Sequence, residues 1–163
     1  MTDAVDIQLA DNSATMPDSQ QIRSWVAAVF TTLERSPLAL TVRGVGEEEM
    51  TKLNQRHRGR NQPTNVLSFP IEPLPGMCTD LLGDIVVCGP VVDRDAAIQD
   101  KSPMGHWAHM VVHGMLHLFG YDHGSDQEAT AMETLEKSVL KGLGFSDPYH
   151  GEHDSGTHSH AQT

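Results

Sequence analysis

Three histidines, His113, His117 and His123, fall in the spacing H-x-x-x-H-x-x-G-x-x-H. On a helix, residues four apart share a face about one turn from each other, so the imidazoles of His113 and His117 stand close enough to share a metal ion. Gly120 lets the backbone leave the helix in a conformation that other residues resist, and Tyr121 and Asp122 carry the chain round so that His123 can face the first two. Three neutral ring nitrogens with an open fourth position match a catalytic zinc site better than a structural one, whose four protein ligands are usually cysteine-rich. Nickel or copper would also suit imidazole. The chemistry expected is hydrolysis, with one bound metal ion per chain activating a water or a phosphate. The competing reading is plain packing, since Val111, Val112, Met115, Leu116, Leu118 and Phe119 surround these rings. Three uncompensated imidazoles in such a core would each cost about a kcal/mol or more, a cost that a shared ion removes.

The same spacing occurs in the metzincin proteases, where a glutamate after the first histidine acts as general base. Here that position is Gly114. A hydrogen cannot take a proton from water, so peptidase chemistry loses its central residue. Other side chains are weighed beside the triad. His106 and His109 continue its stripe, as site neighbours or as polar packing. Asp122 can orient an imidazole or stabilise its own turn. Asp84 lies in an apolar strand, where a carboxylate must be paired, and a structural role is favoured for it. Ser68 is a strand residue with no motif supporting a Ser/His nucleophile. The tail histidines His150, His153, His158 and His160 lack helical context and can inflate metal counts.

The elements that must position these groups follow from periodicity. Val5 to Leu9 alternates as a first strand, and Pro17-Asp18 introduces a helix with Ile22, Trp25, Val26, Val29, Phe30 and Leu33 on one face. Leu38 to Val42 reads as a strand and Glu47 to Arg56 as a helix with acidic residues in its first turn. Asn65 to Phe69, stopped by Pro70, and Leu82 to Cys88 read as two strands that can be neighbours in one sheet. Val91 to Gln99 is a short helix, and Pro103 opens a longer one that runs to Phe119 and ends at Gly120. Ser125 with Glu128 starts a last helix whose apolar stripe is Ala129, Met132, Leu135, Val139 and Leu140, stopping at Gly142-Leu143-Gly144. From Pro148 onward the chain has almost nothing to bury, which predicts one domain over 1–147 and a flexible histidine-bearing tail over 148–163.

At 163 residues there is room for one core. No apolar run approaches the length of a membrane span, and the acidic N-terminus lacks the basic start and apolar stretch of an export signal, so a cytosolic protein with no membrane partner is expected. Cys78 and Cys88 form no CxxC and read as plain thiols. The formal net charge of −11 opposes broad attraction to nucleic acid. Lys52, Arg56, Arg58 and Arg60, four of eleven Lys and Arg residues gathered in nine positions, nevertheless make one basic strip.

The run His113-Gly114-Met115-Leu116-His117-Leu118-Phe119-Gly120-Tyr121-Asp122-His123, with Pro63-Thr64-Asn65-Val66-Leu67-Ser68-Phe69-Pro70 and Leu82-Gly83-Asp84-Ile85-Val86, closely resembles the YbeY family of bacterial rRNA maturation factors. The resemblance spans Leu38 to Tyr149, including His106-Trp107-Ala108-His109 and Gly144-Phe145-Ser146-Asp147-Pro148-Tyr149. It implies a zinc-dependent, single-strand-specific endoribonuclease acting on rRNA and in ribosome quality control, and an α/β (α+β) fold with a small mixed sheet packed with helices, distantly like the metzincins. It implies His113, His117 and His123 as the metal ligands and Arg58 as the functional arginine. A guanidinium suits that role because it holds a phosphate through two parallel hydrogen bonds and offsets the charge that builds on it. The attacking group, water or the RNA 2′-hydroxyl, stays open. So does a second class, a ribosome assembly factor that binds the small subunit or another protein, with a mainly structural metal and little or no cleavage.

Overall fold

The computed structural model describes residues 5–9, 16–71, 75–76, 80–122 and 124–149. Among them the elements run β1 (Val5–Leu9), α1 (Ser19–Leu33), β2 (Ala39–Val45), α2 (Glu47–Arg58), β3 (Val66–Pro70), β4 (Leu81–Cys88), α3 (Gly89–Ile98), α4 (Pro103–Leu118) and α5 (Asp126–Gly142). The four strands form one open sheet in the order β1-β2-β4-β3. β1 with β2 and β2 with β4 are parallel, while β3 lies antiparallel to β4, so the sheet is mixed and the fold is α/β, as expected.

Both faces of β4 are covered, which explains the unbroken apolar run over 85–88. Ile85 and Val87 point into a core shared with α1, α4 and α5, and Val86 and Cys88 point the opposite way, against Met50 of α2 and Val91 of α3. α4 lies between the sheet, α1 and α5, so it is buried nearly all round, with Trp107, Val111, Val112, Met115 and Leu116 inaccessible to solvent. α1 starts on a capping box in which Asp18 accepts from the Gln21 backbone and the Gln21 side chain reaches back.

Several boundaries differ from those read in the sequence, among them the end of β2, which runs on to Val45, and the start of α3 at Gly89, and three others bear on the packing. Pro70 is the last residue of β3 rather than the first beyond it. Asn65 O accepts from Cys88 N and Ile71 N donates to Leu82 O, so the ladder bonds fall on odd-numbered residues and the missing N–H of Pro70 faces away from β4, where it costs no bond. α2 runs two residues further, to Arg58, and ends on Gly59 with φ 70. The third is the end of the packed body. Pro148 is buried, its carbonyl accepts from Lys101 Nζ, and the half-buried Tyr149 donates its hydroxyl to Glu136, so packing extends past 147 to Tyr149. A polar tail composition carries no sign of such docking onto α5. The rest of the expected tail, 150–163, and Cys78 lie outside the described residues. No helix among the described residues is long and apolar enough to cross a membrane.

Candidate active site

α4 is pinned at its start by Ser102, whose hydroxyl accepts from Gly105 N, with Pro103 in the first turn. From it project His113 and His117, with ring centroids 4.6 Å apart and planes at 81°. Both line a cleft of about 300 Å³ whose far wall is β3 and the segment leading into it, through Thr64, Asn65, Val66, Ser68 and Pro70. Arg58 and Asp122 also line this cleft. Arg58 arrives there from a distant part of the chain. It is the last residue of α2, and the loop that follows is fixed by the buried Asn54, whose Nδ2 donates to Gln62 O at 2.8 Å. The structure therefore brings together Arg58, His113 and His117. His123 lies outside the described residues.

Gly114 is required by packing. A Cβ there would meet Ile85 Cγ2 at 2.9 Å and Ser68 Oγ at 3.1 Å. In its absence α4 sits close enough for Ser68 Oγ to donate to Gly114 O at 3.0 Å, which ties the histidine-bearing turn to β3. Ile85 is a fully buried β-branched residue with little room to turn. Gly114→Ala should therefore lose stability despite its better helix propensity. Overpacking of about 1–3 kcal/mol exceeds the helical gain of about 1 kcal/mol. Urea unfolding of the variant and parent checks this, and an unchanged midpoint would mean the interface relaxes freely.

A third element completes the site. Glu136, in the middle of α5, is fully buried, and its Oε2 lies 2.6 Å from His113 Nδ1. His109 Nε2 lies 3.3 Å from the other oxygen, Oε1, off-line for a hydrogen bond but near enough for charge attraction. Oε1 also accepts from the Tyr149 hydroxyl. Burial alone would raise the Glu136 carboxyl, but the attraction of His109 and the hydrogen bond and charge of His113 overcome it and hold the group well below the ordinary carboxylate range. His109, His113 and Glu136 form a buried group that could hold a metal ion. Among the described residues this buried group gathers three potential metal donors, while His113 and His117 line the cleft with two imidazoles.

Glu136 escaped the motif reading, although its position carried a signal. It falls on the buried stripe of α5 between Met132 and Val139-Leu140, at helical spacing, where a carboxylate needs a partner. His106 is buried further along α4, 6.1 Å from His109 between ring centroids and 3.9 Å from Asp95, away from the His117 end of the stripe. Asp84 is only half-buried, opposite Thr41 and Phe69 in the sheet. The basic strip of Lys52, Arg56, Arg58 and Arg60 is exposed.

The sequence and the fold both have known counterparts. The family profile described as Endoribonuclease YbeY matches residues 6–144. In fold, the chain is similar to the solution structure of TM1509 from Thermotoga maritima, with a TM-score of 0.60 and 24% sequence identity over 98% of this chain and 99% of that one. With a match that runs from β1 through α5 and takes in both Arg58 and the histidine-bearing helix, this chain belongs to the YbeY endoribonuclease family.

Proposed function

We propose that this protein is a zinc-dependent endoribonuclease that cuts single-stranded RNA in rRNA maturation and ribosome quality control, with His113, His117 and His123 as the metal ligands and Arg58 acting on the scissile phosphate. The observation that carries this reading is the convergence of Arg58 from α2 with His113 and His117 from α4 on one cleft. When bound, the metal supplies Lewis-acid activation of the phosphate or of the attacking group. The chain's own residues do the rest. Arg58 grips the phosphate and offsets its growing negative charge, which counts for more beside a partly enclosed wall than in open water. The exposed strip of Lys52, Arg56 and Arg60 extends from the same end of α2 and attracts the neighbouring phosphates of an RNA strand, against the overall negative charge. Ser68 and Gly114 keep the histidine-bearing turn seated against β3.

The test is metal content and metal-dependent cleavage together. A chain ending at Tyr149, free of the tail histidines, should carry one zinc ion after purification without chelator. It should lose single-stranded RNA cleavage on chelation and regain it on adding zinc. Less than about half an ion per chain, with no uptake of added zinc, would refute the assignment. A second reading, an assembly factor of the small subunit with a structural metal, draws on one observation: the buried His109, His113 and Glu136 could hold an ion away from the cleft. That reading predicts full metal content with no cleavage.

A further inference from the structure

Glu136 has no part in the chemistry described so far, yet it is the most deeply buried charged group among the described residues, with 0% exposure. A carboxylate is not buried without donors to compensate it. Each of its oxygens is engaged, Oε2 with His113 Nδ1 and Oε1 with the Tyr149 hydroxyl and, more loosely, His109 Nε2. We propose that Glu136 is a positioning residue, clasped by Tyr149 and His109, which holds His113 as its Nδ1–H form and so presents Nε2 to the cleft. This rests on the reading of His113 as a metal ligand.

The direction of the proton follows from the partners. Glu136 already accepts from the Tyr149 hydroxyl on Oε1, and as the acceptor of the second contact too it places the proton on the ring nitrogen 2.6 Å from Oε2. Nε2, across the ring, is then the nitrogen with a lone pair for an ion, on the side where His113 and His117 line the cleft. The same distance argues against Glu136 as a ligand partner of His113. Two donors each about 2.0–2.1 Å from a tetrahedral ion stand roughly 3.3 Å apart, whereas 2.6 Å is a short charge-assisted hydrogen bond. A carboxylate behind a ligating imidazole fixes its orientation and makes the opposite nitrogen a stronger donor to a metal.

Tyr149 extends the inference to the end of the packed chain. It follows α5 by seven residues, and three contacts hold it in place. Lys101 binds the carbonyl of Pro148, the Tyr149 ring meets His109 edge-on at 5.6 Å, and Lys137 lies 5.7 Å over that ring. The segment after the last helix is thus the outer half of the clasp, and the metal site depends on a residue that touches neither the cleft nor the substrate.

The test uses the full chain and three variants, Glu136→Gln, Glu136→Met and Tyr149→Phe. Two quantities are read: the protonation site of His113 by imidazole ¹⁵N resonances in chelator-treated protein, and zinc affinity by competition with a chromophoric chelator. The parent should show His113 protonated at Nδ1. Glu136→Met should lose that preference and bind zinc about 10–100-fold more weakly, while Glu136→Gln, which keeps an accepting oxygen, should recover much of both. Tyr149→Phe should keep the fold and weaken zinc binding by a smaller factor, and it carries the test if Glu136→Met fails to fold. His113 protonated at Nε2 in the parent would overturn the proposal. So would unchanged affinity in a folded Glu136→Met and in Tyr149→Phe, or loss of one oxygen ligand from the zinc X-ray absorption spectrum of Glu136→Gln. If the parent takes up no zinc, the metal reading fails, while the ¹⁵N readout still decides whether Glu136 sets the ring.

Discussion

His117→Ala should purify as a folded protein with less than half an ion per chain and should cut single-stranded RNA no faster than background. His117 is only half-buried at the end of α4, so its truncation removes a cleft wall and leaves the core of Trp107, Val111, Val112 and Met115 intact. A loss of roughly a thousandfold or more corresponds to about 4 kcal/mol of transition-state stabilisation, within what a Lewis-acid metal contributes to phosphodiester hydrolysis. The comparison also guards against the commonest artefact in such assays, a co-purifying nuclease, because the parent and variant pass through identical columns. Equal cleavage by both would assign the activity to a contaminant. The variant also separates the proposed cleft site from the buried group. An ion held by His109, His113 and Glu136 would survive the loss of His117, whereas one held by the cleft pair would not.

Arg58→Ala should leave metal content unchanged and reduce RNA cleavage by roughly ten- to a thousandfold at saturating RNA. The guanidinium comes from α2, while the histidines come from α4, and its positive charge repels a cation instead of ligating it. The fold should hold, because Arg58 is exposed and α2 is anchored by the buried Met50 and Asn54. Arg58→Lys should recover only part of the activity, since an ammonium keeps the charge but not the two parallel hydrogen bonds. Losing one phosphate contact should flatten the salt dependence of RNA binding by less than about one unit of slope. Parent-like turnover in Arg58→Ala would reduce the residue to a surface charge. Loss of zinc with it would make it a support of the site's architecture.

Of the groups behind these two predictions, the histidine pair was legible in the sequence because its signal is local, whereas Arg58 was named by the family resemblance. His113 and His117 meet through one turn of a single helix, a relation that depends on spacing alone. The helix itself was readable from Pro103, and it ends at Leu118, shortly before Gly120 with its φ of 100. β3 and β4 could be read as sheet neighbours because apolar β-forming runs flank a Pro-rich loop, and the structure pairs them from Val66 with Val87 to Pro70 with Gly83.

What the sequence could not supply were relations between segments far apart in the chain. Gly114 read only as a missing general base. The reason no side chain fits there, the approach of Ile85 and Ser68, exists only once α4 lies on β3 and β4. Glu136 stood in an apolar stripe as an exception to its period, and its partners His113 and Tyr149 are 23 residues before it and 13 after it. Pro148 and Tyr149 were assigned to a polar tail because composition averages over a window, whereas docking is decided by single contacts with Lys101 and Glu136. Sequence periodicity thus determined which side chains share a helix face. Only the tertiary packing of α2, α4 and α5 decided that Arg58 faces the histidine pair and that a buried carboxylate stands behind His113, because close approach, burial and hydrogen-bond partnership are properties of surfaces that do not exist until the chain has folded.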